Sequence, residues 1–135
     1  MWICLTDAFF SIVEHYDNDE HLVVRSRFKG DIEKVFGLDK AEVRYTPEND
    51  YCYRAVLTKD AVAEVMAIEV KGIDYPNFKN QAHKLSETEG DARRVTAYHK
   101  VWQAMNDAGD AGCYKFPNAW PSTQAEWTDT FLKDT

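Results

Sequence analysis

The chain has 135 residues, 44% apolar, 13% aromatic and 29% charged, with a formal net charge of −7. That length suits one domain with its own core, and the acidic balance argues against a general nucleic-acid binder, which needs clustered Lys and Arg, and favours a basic protein partner. Cys4, Cys52 and Cys113 do not read as a disulfide framework and fit reduced thiols in a cytoplasmic protein; no stretch approaches a membrane span, and the apolar start is too short for a signal peptide.

Residues 2–5 and 9–15 are rich in aromatic and β-branched types and predict strands, with "TDA" between them as a tight turn or a bulge in one long strand. "YDNDEH" (16–21) predicts a turn. The next strand, 21–28, puts Leu22, Val24 and Phe28 on one face and Val23, Arg25 and Arg27 on the other. Asp31 then stands as the N-cap of a short helix to Phe36, with Gly37 as its stop. The pattern repeats: strand 41–46, turn 47–50, strand 51–57, then Thr58 as cap of a helix from Lys59 to about Lys71. The expected fold is therefore α+β: an antiparallel sheet from two ββα units, helices packed on one face, and a helical C-terminal half.

"GIDYPNFKNQ" (72–81) carries two aromatics and a lysine in a turn-rich stretch. It reads as helix stop, corner and helix start. Gly72 would form a left-handed cap with Ile73 folding back on the helix, Pro76 forbids continuation, and Asn77 caps a helix carrying Phe78, Ala82 and Leu85. The alternative is a recognition loop. "SETEGD" (86–91) predicts a polar loop, and Asp91 opens a helix over about 92–108. Thr123 and Glu126 form a capping signature in an aromatic tail, 109–135. The expected organisation is a single domain over 1–135, with a ββα–ββα core (1–74), a helical segment (75–108) and the tail.

Among candidate chemistries, "EHYDNDEH" (14–21) resembles a calcium loop only in part. An EF-hand needs Gly at its sixth position and Glu at its twelfth, and counted from Asp17 these are Leu22 and Phe28. His83 and His99 lack zinc-ligand spacing. No phosphate loop, nucleophile elbow or zinc-protease motif is present, and no cofactor or metal is expected. Cys4 and Cys52 fall in expected strands, where a thiol is usually a small core residue; Cys113 is the more exposed one. Arg25, Arg27 and Lys29 alternate along one strand, and Arg44 and Arg54 lie on strands of the second unit. If pairing joins them, the open face carries a cationic stripe interleaved with Tyr45, Tyr51 or Tyr53, a pattern that suits single-stranded nucleic acid. The preferred reading is cross-strand pairing with Glu14 and Glu42. Residues 75–106 are locally basic, with 5 bases against 3 acids, and Arg93 and Arg94 sit unfavourably at a helix start.

"MWICLTDAFFSIV", "RSRFKGDIEKVF", "YRAVLTKDAVAEVM", "IDYPNFK" and "AYHKVWQAM" together resemble a group of short, uncharacterised bacterial proteins, over roughly residues 1–106. The group has no known activity, so the resemblance implies no catalytic residue.

The leading expectation is a small, non-enzymatic cytoplasmic binding protein acting by protein–protein contact as an inhibitor or adaptor; a phage inhibitor of a host nucleic-acid-binding defence complex is one form this would take. Candidate contact residues are Tyr75, Phe78, Lys79, Arg93, Arg94, Trp120 and Trp127. One alternative is a nucleic-acid- or phosphate-handling enzyme using Arg25, Arg27 and Arg54 with His15 or His99. Another is a homo-oligomeric structural module.

Overall fold

The structure, a computed structural model, describes residues 1–39 and 41–109. They divide into two compact units, Met1–Asp74 and the segment from Tyr75 onward. The fold is α+β, and every regular element after β5 among the described residues is a helix.

The first unit is a sheet with two helices. Strands β1 (Trp2–Cys4), β2 (Phe9–Glu14) and β3 (His21–Ser26) are followed by α1 (Asp31–Phe36). Next come β4 (Arg44–Tyr45), β5 (Tyr53–Thr58) and α2 (Lys59–Lys71). The sheet has five antiparallel strands in the order β1-β2-β3-β5-β4. "TDA" is a turn and not a bulge, since the Leu5 amide donates to the Ala8 carbonyl at 2.8 Å and closes the β1–β2 hairpin. The two ββα units meet through their second strands, β3 against β5, and β1 extends the first unit at the sheet edge. β4 keeps only two residues, against the six expected over 41–46.

Alternation along each strand decides what lies under the helices. Phe10, Ile12, Val24, Ala55 and Leu57 point to one side and are buried with Ile32 and Phe36 of α1 and Val62 of α2. Val65 and Met66 pack on this core, whereas Ile68 and Val70 are exposed. Phe10 and Phe36 meet edge to face, with ring centroids 5.4 Å apart. Both helices therefore cover one face.

Local capping follows the sequence in some places and departs in others. The Thr58 hydroxyl accepts from the Ala61 amide at 3.2 Å, as an N-cap should. Asp31 is not a cap. It is the first helical residue, after Gly30 in a left-handed conformation (φ 90°). Its buried carboxylate instead accepts the Phe9 amide at 2.9 Å and the Ser26 hydroxyl at 3.4 Å. α1 is thus tied to β2 and β3 by one side chain. Gly72 is also not left-handed (φ −82°) and Ile73 is exposed. A Cβ at Gly72 would stand 3.2 Å from the Ile68 carbonyl oxygen, so close approach and not handedness favours glycine there.

The second unit contains an antiparallel helix pair, α3 (Phe78–Glu89) and α4 (Ala92–Ala108). The Asn77 side chain caps α3 at the Asn80 amide, and Asp91 caps α4 at the Arg93 amide. "SETEG" is helical up to Glu89, because Gly90 takes the left-handed stop (φ 71°) and leaves only a tight corner. Near that corner the Ser86 hydroxyl donates to the Asp91 carbonyl at 2.9 Å. At the far end Phe78 packs on Tyr98, with centroids 5.6 Å apart. Among the described residues no helix is long and apolar enough to cross a membrane.

Candidate anion-binding face of the sheet

Directly opposed residues in antiparallel strands share a face. Trp2 is opposite Ser11, Ser11 opposite Arg25, Arg25 opposite Arg54, and Arg54 opposite Arg44. One row, Trp2–Ser11–Arg25–Arg54–Arg44, therefore crosses all five strands on the face away from the helices. With strands about 4.8 Å apart, it is about 19 Å long. Beside it runs an apolar row, Val13–Val23–Val56. The strand residues on this face are Trp2, Cys4, Phe9, Ser11, Val13, His21, Val23, Arg25, Arg44, Arg54, Val56 and Thr58. None is acidic, in a chain with 23 Asp and Glu.

That corrects the expected charge pairing. Glu14 is opposite Leu22, on the helix side of the sheet, and its carboxylate lies 4.0 Å from Lys59 of α2. Glu42 precedes β4 and is exposed, with no ion pair to an arginine among the described residues. The arginines face one another instead, and like charges directly opposed are unfavourable.

Neutral groups hold them. The Arg25 Nη2 donates to the Ser11 hydroxyl at 2.7 Å, while its buried Nε has no acceptor among the described residues. The Arg54 Nε donates to the Tyr51 carbonyl at 3.1 Å. The Tyr51 ring, only 4% exposed, lies under two guanidiniums, Arg25 at 4.8 Å and Arg27 at 4.3 Å from its centroid. Such stacking is worth about 0.5–2 kcal/mol and leaves the positive charge in place. Arg27 alone meets a carboxylate: its Nε donates to the Asp50 carbonyl at 3.2 Å and its Nη2 lies 3.5 Å from Asp50 Oδ2. Arg44 is exposed and makes no hydrogen bond or ion pair with a described residue. The stripe interleaves with Tyr51 and not Tyr45 or Tyr53, which stack on each other on the opposite parity, centroids 5.3 Å apart.

Lys29 does not join the stripe, because β3 ends at Ser26 and Lys29 lies exposed in the turn before α1. His15 lies four residues along from Ser11, about 13 Å at strand rise, and pairs with Asp17 at 2.7 Å. Among the described residues His15 makes no hydrogen bond or ion pair with an arginine. His99 belongs to the second unit. Around His15, residues 14–19 line an open cavity of about 440 Å³ at the hairpin turn. No cluster of metal-ligating residues occurs among the described residues. Cys4 lies on the open face, and desolvation raises its thiol pKa above the ordinary value, which opposes nucleophilic activation.

In the second unit, Tyr75, Phe78, Lys79 and Arg93 each contact other residues of that unit. Tyr75 meets Phe78 edge-on, and Phe78 packs on Tyr98. The Lys79 ammonium lies 4.3 Å from the Trp102 ring centroid, and desolvation lowers its pKa to about 8. Arg93 forks onto its own cap, Nε to Asp91 Oδ1 at 2.9 Å and Nη2 to Oδ2 at 3.1 Å, which holds that carboxyl below its ordinary range. Arg94 is buried. The unfavourable cation at the helix start is thus answered locally. Trp120 and Trp127 lie outside the described residues.

Sequence reasoning missed Trp2 and Ser11 as members of the face. Their signal was the alternation Phe9, Ser11, Val13 against Phe10 and Ile12, which places the small polar Ser11 where a long side chain from the next strand can reach. No family model, curated protein or solved structure matches the chain.

Proposed function

We propose that this protein is a binding protein that acts by contact, as an inhibitor or adaptor, and that the open sheet face is its contact surface for an anionic partner. The observation that supports this is the row of Arg25, Arg54 and Arg44, in which Arg54 is opposed on both sides by arginine and no strand residue of the face is acidic. Each opposed cation pair costs the fold about 0.2–1 kcal/mol. A local choice that works against stability marks a functional surface more often than a structural one. A bound anion reverses the sign of that term, because it gives each guanidinium a charge-assisted partner. The overall charge of −7 favours a basic partner, but charge on the rest of the surface is screened beyond about 10 Å at ordinary salt, so the local row governs what docks there.

The test is calorimetric titration of the full chain with heparin at low salt, compared with the Arg44→Gln/Arg54→Gln variant. The expected result is binding that weakens at least tenfold in the variant. Equal binding by both proteins would show that the row is not the contact surface.

A further inference from the structure

We infer that the occupant of this face is single-stranded nucleic acid, an inference that rests on the anionic-partner reading above. What selects among anions is the other end of the row. Trp2 is 64% exposed and continues, through Ser11, the same line as the three arginines. Phe9 braces it edge-on, with centroids 5.8 Å apart and planes at 77°. A braced, exposed indole in register with guanidiniums supplies both parts of a single-strand site: a stacking platform for a base and cations for the phosphates that follow. The valine row alongside, Val13 and Val56 being 36% and 50% exposed, offers an apolar floor.

Other anions use less of this surface. A purely acidic peptide, such as polyglutamate, satisfies the arginines but has no flat π-face for Trp2. A duplex presents its bases inside grooves that an element must enter, as a helix or a two-stranded ribbon does. Here the cations and the indole lie on the face of a five-stranded sheet. A single strand laid across the strands along the row reaches all of them. Ser11 fits the arrangement: its hydroxyl holds Arg25 in place without cancelling its charge.

The probes are fluorescently labelled oligouridylate and oligothymidylate, about twelve nucleotides long, well within the range that single-strand modules cover. Binding to the full chain is followed by anisotropy over a range of salt, with polyglutamate as a parallel titrant. The expected plot of log affinity against log salt has a slope near −2, at about 0.7 per phosphate neutralised on a single strand. Arg44→Gln makes that slope shallower by about 0.7. Trp2→Leu weakens binding about fivefold or more with the slope unchanged, the least that one lost base stack implies. Trp2→Phe keeps most of the affinity, which separates stacking from any effect on the fold. If polyglutamate binds as tightly as the oligonucleotides, or Trp2→Leu binds them undiminished, the nucleic-acid assignment is overturned and the anionic face stands. If neither oligonucleotides nor polyglutamate bind at low salt, the underlying reading fails with it.

Discussion

Replacing Arg44 should stabilise the sheet, and only at low salt. Arg44 stands directly opposite Arg54 and makes no hydrogen bond or ion pair with a described residue. Opposed Cα atoms in an antiparallel pair are about 4.5–5.5 Å apart. Two guanidiniums about 7 Å apart in water-like surroundings repel by about 0.6 kcal/mol. At about 0.01 M salt the screening length is about 30 Å and most of that term survives; at about 1 M it is about 3 Å and the term vanishes. Arg44→Gln should therefore gain about 0.5 kcal/mol at low salt and nothing at high salt. Removing any cation also makes the chain more acidic, so the reference is Lys29→Gln, an exposed lysine of the same unit outside the sheet. Native-state hydrogen exchange of the amides in β3 and β5 reads the sheet unit by itself. If Arg44→Gln is less stable than the Lys29→Gln reference at low salt, or if its advantage persists at 1 M, the opposed arginines do not burden the fold, and the main reason for assigning them to a partner disappears.

Two further outcomes follow from buried or half-buried groups. Asp31→Ala removes the acceptor of the Phe9 amide, and should destabilise the sheet unit by about 2–3 kcal/mol, since a hydrogen bond to a charged group is lost and a donor is left unpaired. The Phe9 amide should lose exchange protection, with Asp31→Asn recovering part of the loss; a change under about 0.5 kcal/mol would contradict the tethering role. Lys79 should titrate near 8 when its Cε resonance is followed by NMR, because packing against α4 desolvates the ammonium. The unfolded chain holds that proton up to about 10.5, so it binds more protons than the folded chain between about 8 and 10.5. The stability of the helix pair therefore rises with pH across that window, and the penalty is complete below it. A midpoint at the ordinary lysine value would show that contact with Trp102, which favours the charged form, outweighs desolvation.

Features carried by neighbours within a few residues were legible in the sequence. Thr58, Asn77 and Asp91 cap helices because each side chain reaches an amide two or three residues ahead. The start of α4 followed from Asp91 as its cap. The two ββα units were readable because period-2 and period-3.6 patterns alternate, and the same alternation put Arg25 on the face opposite Leu22 and Val24.

Only the tertiary structure decided how those local pieces are used. Asp31 has the residue type of a cap, but the packing of α1 under β2 and β3 places its carboxylate against the Phe9 amide. Lys79 and Phe78 have the composition of a recognition loop, and helix pairing spends them on Trp102 and Tyr98. The arginine row depends on strand register, a long-range property in which a slip of one residue moves every side chain to the other face. Register opposed Arg54 to both Arg25 and Arg44 and aligned Trp2 with them. It also left Glu14 on the helix side, where it cannot neutralise them. Residue type and parity are local and can be read along the chain, whereas the partner across the sheet is chosen by burying Phe10, Ile12, Val24, Ala55 and Leu57 together, and no single strand contains that information.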